Sequence, residues 1–250
     1  MQTAAPSKAN GNESAPAPPP ALSAAPPRSI VPLLDADPES GRLLSFNERA
    51  VVSTLALPVH TVSSDTLDVA QLVAEEHAHG ALVLDGMIVR RIAIDNRVAL
   101  LLLGPGDLFM LDSEPQNAGL ADMACVASVG TELALLDTAI LLTAARRWPQ
   151  ILVGLLARTA EQTDRVAVQL AIGHLPSIEE RLLAIMRLLA ERWGYVTLEG
   201  TVIPLALTHA TLGELAGARR PTVTLALTRL ADRGALVRHA NGWLLRRQSG

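Results

Sequence analysis

Hydrophobic residues change their spacing twice along this chain. Residues 1 to about 32 show no periodicity: Pro16, Pro18, Pro19, Pro20, Pro26 and Pro27 stand among Ala and Ser. Such a stretch cannot bury enough apolar surface to offset its ordering entropy, so a disordered tail is expected. A short helix should follow, with Ser45 as N-cap and Glu48 closing a capping box. From about 50 to 136 the apolar residues fall in short runs cut by turn residues. Ala81–Leu84 and Met87–Ile94 flank Asp85-Gly86 and read as two strands joined at a tight turn. Asp95-Asn96 leads into Arg97–Leu103, and Gly104-Pro105-Gly106-Asp107 is another turn. Met123–Val129 and Glu132–Leu136 read as two more strands. Strands at this spacing predict an antiparallel barrel or roll.

The period then becomes helical. Thr138–Arg147 predicts a short helix, and Pro149 suits the first turn of a long one running to about Ile172. On it Leu152, Leu156, Thr159, Thr163, Val166 and Leu170 recur at spacings of four and three. That is a narrow seam of coiled-coil type, with Arg158, Glu161 and Arg165 opposite. It predicts dimerisation; the competing reading is a stripe packed on the chain's own barrel. Gly173 and Pro176 then break the helix. Ser177 and Glu180 form a capping box for the next one, whose apolar face is Leu182, Leu183, Ile185, Met186 and Leu189.

Residues 208–230 carry the clearest functional pattern. Thr208 can cap a helix with Leu212, Leu215 and Ala216 inside, and Gly213 is small enough for a close helix crossing. Gly217 supplies the left-handed conformation of a tight turn. Pro221 starts a second helix with Val223, Ala226, Leu227 and Leu230 inward. Two short helices about a glycine turn make a helix-turn-helix. Its outward face would hold Thr222, Thr224, Leu225, Thr228 and Arg229, with Arg219 and Arg220 at its start. Arginine can bind guanine bidentately, and threonine can meet phosphate or thymine. Ala235–His239 and Trp243–Arg246, joined at Asn241-Gly242, predict a wing whose Arg238, Arg246 and Arg247 could follow a phosphate backbone. The same geometry also occurs in domains that bind only protein.

Charge sharpens that reading. The chain's net charge is −4, yet from Leu205 onward seven arginines face only Glu214 and Asp232. That end carries +5 and the remainder −9. A basic module on an acidic body suits a phosphate-binding surface. Other classes recede. No apolar run is long enough to cross a membrane, and no basic start precedes an apolar stretch as in a secretory signal, which points to the cytoplasm. Cys125 is the single cysteine, so an internal disulfide, a cysteine-ligated cluster and a cysteine-rich zinc site are all excluded. Among apolar neighbours it reads as a small core residue. His77 and His79, two apart and without a supporting cluster, read as a solvated loop rather than a metal site. No nucleophile–base pattern, phosphate loop or metal-ligand spacing suggests an enzyme.

The order of roll, long helix, hinge, capped helix and winged helix-turn-helix resembles the Crp/Fnr family of bacterial transcription regulators over residues 33 to 247. The likeness is strongest in LPSIEERLLAIMRLLAERWG and LTHATLGELAGARRPTVTLALTRLADRGAL, and weaker in VLDGMIV and LLGPGDLF. It implies an α+β fold: a disordered tail (1–32), a cyclic-nucleotide-binding-like antiparallel β-roll (33–147), a dimerisation helix (148–174) and a winged helix-turn-helix DNA-binding domain (175–250). It also implies a homodimer on two-fold-symmetric double-stranded DNA, with recognition helices about 34 Å apart, and RNA polymerase as a further partner to test. Carried over by position, the DNA-contacting residues are Arg219, Arg220, Pro221, Thr222 and Leu225, and His209 falls on a phosphate contact. Where cyclic-AMP-responsive members have an acidic residue and a later arginine, this chain has Pro221 and Leu225, leaving Arg220 as the expected base reader.

The sensor departs from the pattern. After Gly106-Asp107 no arginine occurs until Arg146, and a cyclic phosphate would meet Asp112, Glu114 and Asp122 without a cation. The adenine-contacting positions fall on Val166 and Ala167, which offer no polar side chain. No cofactor is expected: neither a cyclic AMP response nor an iron–sulfur cluster. The alternative is a winged-helix protein-interaction module, or an effector-independent regulator that does not bind DNA specifically on its own.

Overall fold

A computed structural model describes residues 29–64, 66–111, 120–240 and 242–247. Most of the expected tail lies outside these residues, but its last four positions form a strand. This strand, β1 (Ser29–Pro32), pairs antiparallel with β2 (Ala56–Thr61). Between them lie α1 (Leu33–Ala36), a 3-10 turn over Pro38–Gly41 and α2 (Phe46–Val52). The expected capping box starts α2: the Ser45 hydroxyl accepts the Glu48 N–H, and the Ser45 N–H donates to the Glu48 carboxylate at 2.8 Å. Such a cap stabilises a helix by about 1 kcal/mol.

The roll continues with α3 (Val69–Glu75), β3 (Ala78–Asp85), β4 (Ile88–Ile94), β5 (Arg97–Leu103), β6 (Leu108–Met110), β7 (Asp122–Ala127) and β8 (Glu132–Asp137). Its strands form two sheets, ordered β1-β2-β8-β3-β6 and β5-β4-β7. The strands flanking Asp85-Gly86 are therefore not a hairpin. β3 pairs with β8 and β6, while β4 pairs with β5 and β7. Gly86, at φ +82°, turns the chain from one sheet into the other, and a Cβ there would lie 2.4 Å from Thr131 Oγ1. Asp95-Asn96 does close a hairpin, with Ile94 opposite Arg97. Between the sheets Val83, Ile88, Leu103, Leu133 and Leu135 are buried.

β5 explains its own unbroken apolar run. Leu101 and Leu103 face the roll, whereas Leu100 and Leu102 pack into the C-terminal domain. A strand buried on both faces loses the usual alternation. That domain follows α4 (Thr138–Arg147) and α5 (Pro149–Gly173). It comprises α6 (Ile178–Trp193), β9 (Tyr195–Val196), β10 (Gly200–Ile203), α7 (His209–Ala216), α8 (Arg220–Asp232), β11 (Leu236–His239) and β12 (Gly242–Arg246). Its sheet runs β11-β12-β10-β9. Leu182, Ile185 and Met186 of α6 are buried with Leu212 of α7 and Val223, Leu227 and Leu230 of α8. The expected capping box at Ser177 and Glu180 is formed.

Candidate nucleic-acid interface

Thr208 caps α7 by accepting the Thr211 N–H at 3.1 Å. Gly217 ends it at φ +64°, the left-handed conformation the turn requires. Gly213 permits a different close approach from the expected helix crossing. A Cβ there would lie 2.6 Å from the Ala218 carbonyl oxygen in the turn, but 3.6 Å from Val223 on α8. Val223, Ala226, Leu227 and Leu230 anchor α8 inward. Its other face leaves Arg220, Pro221, Thr222, Thr224, Leu225, Thr228 and Arg229 exposed, with Arg219 at the N-cap.

These side chains are not equally available. Arg219 and Arg220 form no ion pair among the described residues. They stand at a helix N-terminus whose free N–H groups also favour an anion. Arg229 is turned away from that surface: it pairs with Glu179 of α6 at 3.1 Å, and Arg233 shares the same carboxylate at 2.5 Å. Hydrogen bonds from both arginines hold the Glu179 carboxyl below its usual range. The hydroxyls of Thr224 and Thr228 donate to the carbonyls of Arg220 and Thr224 in their own helix. His209 Nδ1 lies 3.0 Å from Thr224 Oγ1, which ties the start of α7 to the recognition face.

The wing is the β11–β12 hairpin, with His239 opposite Gly242. Gly242 is thus a strand residue rather than part of the turn, and Asn241 lies outside the described residues. A Cβ on Gly242 would lie 2.1 Å from the Ile203 carbonyl oxygen, so β10 and β12 meet only because it is glycine. Arg238 donates to the Leu207 carbonyl at 3.0 Å and lies 4.8 Å over the Trp243 ring. It braces the wing against the segment that leads into α7. Arg246 and Arg247 remain exposed on the following edge.

The long helix departs from the sequence reading in a useful way. Arg158 and Arg165 do not face solvent; they hold α5 on its own roll. Arg158 pairs with buried Asp37 at 2.5 Å, and Arg165 with buried Asp107 at 2.6 Å. Gln162 donates to and accepts from the Leu108 backbone at 2.9 and 3.0 Å, satisfying the free edge of β6. Gln169 donates to the Leu100 carbonyl at 2.7 Å. A polar stripe at 158, 162, 165 and 169 therefore docks the helix. The apolar seam beside it stays largely open, with Leu156 68% and Leu170 67% exposed, and Thr159, Thr163 and Val166 also exposed. Only Leu152 is drawn partly into the roll's core.

Asp107 does more than turn the chain. Its carboxylate accepts from the Gly104 N–H at 2.9 Å, from Arg165 of α5 and from Arg192 of α6. Three segments meet there. Arg165 loses some of its proton affinity through burial and the neighbouring Arg192 charge. Two further side chains depart from the sequence pattern. His79 belongs to β3 rather than a loop and bonds the Thr138 hydroxyl at 2.9 Å. The roll is also not free of cations, because Arg90 of β4 lines a cavity beside α5. An arginine alternating with Ile88 and Ile92 was the signal for it. Asp112 and Glu114 lie outside the described residues.

Known proteins agree with this architecture. Residues 180–248 match the family model of the Crp-like helix-turn-helix domain. Among solved structures, FixK2 from Bradyrhizobium japonicum shares 21% identity, covering 76% of this chain and 91% of its own, with a TM-score of 0.56. A CooA mutant from Carboxydothermus hydrogenoformans shares 16%, over 76% and 82%, with a TM-score of 0.59. A transcriptional regulator of the CRP family from Thermus thermophilus shares 16%, over 76% and 91%, with a TM-score of 0.53. No curated protein sequence matches the chain. Residues 180–248 thus resemble a Crp-like helix-turn-helix domain, and the long helix joins them to a roll with the fold of these solved structures.

Proposed function

We propose that the chain is a transcription regulator that binds double-stranded DNA as a homodimer. The observation that carries this is the unpaired Arg219–Arg220 step at the exposed N-terminus of α8, flanked by a wing ending in Arg246. Arg220 is the proposed base reader. Arg219, His209 and Arg246 supply backbone contacts, and Thr222 and Leu225 complete the face entering the groove. Arg229 and Arg238 are removed from the contact set, because Glu179 and the Leu207 carbonyl already hold them.

The exposed seam of α5 supports the dimer. A second α5 would cover Leu156, Thr159, Thr163, Val166 and Leu170, surface that its own roll leaves open. Two copies so joined suit a two-fold-symmetric site. Such a regulator works where the DNA is, in the cytoplasm, and contact with RNA polymerase belongs to the same proposal. No helix among the described residues is long and apolar enough to cross a membrane. Cyclic AMP is not the proposed effector, since Val166 and Ala167 offer no polar side chain toward a base.

Selection from a random duplex pool, followed by mobility shift on the enriched sequence, tests this reading. Arg220→Ala should abolish the specific shift while leaving weak, salt-sensitive binding. An unchanged shift would remove Arg220 from its role, and failure to enrich any sequence would favour a protein-binding winged helix.

A further inference from the structure

Seven arginines follow Leu205, and three of them are held. The Leu207 carbonyl takes Arg238, and a single carboxylate, that of Glu179, takes both Arg229 and Arg233. Glu179 stands in the first turn of α6, so this contact joins the start of that helix to the end of α8. Arg229 Nη1 donates to Glu179 Oε1 at 3.1 Å and Arg233 Nη2 to Oε2 at 2.5 Å. Arg233 Nε also donates to the Arg229 carbonyl at 3.3 Å. Both arginines pass over Asp232 beside them, which forms no ion pair among the described residues.

Packing does not require the contact. Leu182, Ile185 and Met186 of α6 already share a buried core with Val223, Leu227 and Leu230 of α8. The two arginine side chains are 60% and 58% exposed, and ion pairs so exposed contribute little to stability. Their charge matters more. Thr222, Leu225 and Arg229 recur at helical spacings of three and four on α8, which puts Arg229 two turns, about 10 Å, beyond Thr222 on one stripe. Arg233 lies a turn farther. A duplex that takes the start of α8 into its groove carries its backbone phosphates past that stripe.

Carboxylate and phosphate oxygens are equivalent acceptors for a guanidinium group. We propose that Glu179 competes with DNA phosphate for Arg229 and Arg233 and thereby sets the sequence-independent part of the chain's DNA affinity. This rests on the DNA-binding reading. Glu179 withholds two cations from every duplex alike and leaves sequence to be read at Arg220. The chain then leaves DNA more readily than its count of arginines implies.

Fluorescence anisotropy of the full chain, on a random duplex and on the enriched one, tests this between about 50 and 200 mM salt. Glu179→Gln should tighten binding to both duplexes by the same factor, about tenfold at the lowest salt, and steepen the slope of log affinity against log salt by about 1–2. Adding Arg229→Gln and Arg233→Gln to that variant should return the parent slope, whereas in the parent chain the same pair should leave the slope as it is. Glu191→Gln, which removes an exposed carboxylate farther along α6, should leave the slope unchanged. Thermal melting should move by no more than a few degrees in each case.

An unchanged slope in Glu179→Gln overturns the proposal, as does a steepening that survives loss of both arginines or that Glu191→Gln reproduces. A gain confined to the enriched duplex overturns it too, because phosphates are common to all sequences. A parent chain that binds no duplex removes the DNA-binding reading together with this inference. A parent that binds, with Glu179→Gln indistinguishable from it, removes this inference alone.

Discussion

The Asp107 carboxylate lies 2.6 Å from the Arg165 guanidinium, and its other oxygen accepts from Arg192. One acidic side chain in a glycine turn of the roll thereby fixes both the long helix and the first helix of the C-terminal domain. Nearby, a Cβ on Gly104 would lie 2.6 Å from the Trp193 ring, so the roll and α6 touch without room to spare.

Asp107→Asn leaves two arginines facing each other in a partly buried site without a counter-charge. Breaking such a pair from one side costs about 3 kcal/mol. Urea unfolding should show that loss, and the variant's DNA affinity should change because the orientation of α6 is released. Unchanged stability would mean that packing at Gly104 and Trp193 suffices alone.

The seam makes a separate prediction. Leu156→Asp combined with Leu170→Asp places charges where the seam would close, on positions already open to solvent. Sedimentation should report monomers, with far-ultraviolet circular dichroism unchanged. Dimers that persist would place the self-contact on another surface.

Cys125 is buried among apolar residues, which raises its thiol pKa to about 11. The unfolded thiol ionises near 9, so this burial favours folding fully below that pH and progressively less as pH rises toward 11. At pH 8 the native chain should resist iodoacetamide and react only after denaturation. Rapid labelling of the native chain would contradict the packing around β7.

Gly213→Ala forces a methyl against the Ala218 carbonyl, so the turn between α7 and α8 must shift. A loss of about 2 kcal/mol is expected, together with weakened specific DNA binding. Thermal melting and mobility shift measure the two effects; full retention of both would remove the turn from the account.

Much of this was legible in the sequence because local rules settled it. The capping boxes at Ser45 and Ser177, the glycine at 217 and the inward set Val223, Ala226, Leu227 and Leu230 all depend on near neighbours. What escaped depends on distant partners. Asp85-Gly86 looks like a hairpin turn until the pairings of β3 and β4 are known. Arg158 and Arg165 look solvated because Asp37 and Asp107 are far away in sequence. Gln162 gives no sign that a strand edge needs its amide. Arg229 sits on the outward face by periodicity, yet Glu179, fifty residues earlier, takes its charge.

Hydroxyl-radical footprinting on the selected duplex tests the central claim most directly. Two helices of type α8, carried by a dimer, should protect two patches on one face of the duplex about 34 Å apart, and Arg220→Ala should erase both. A single protected patch, or uniform protection indifferent to Arg220, would contradict the account.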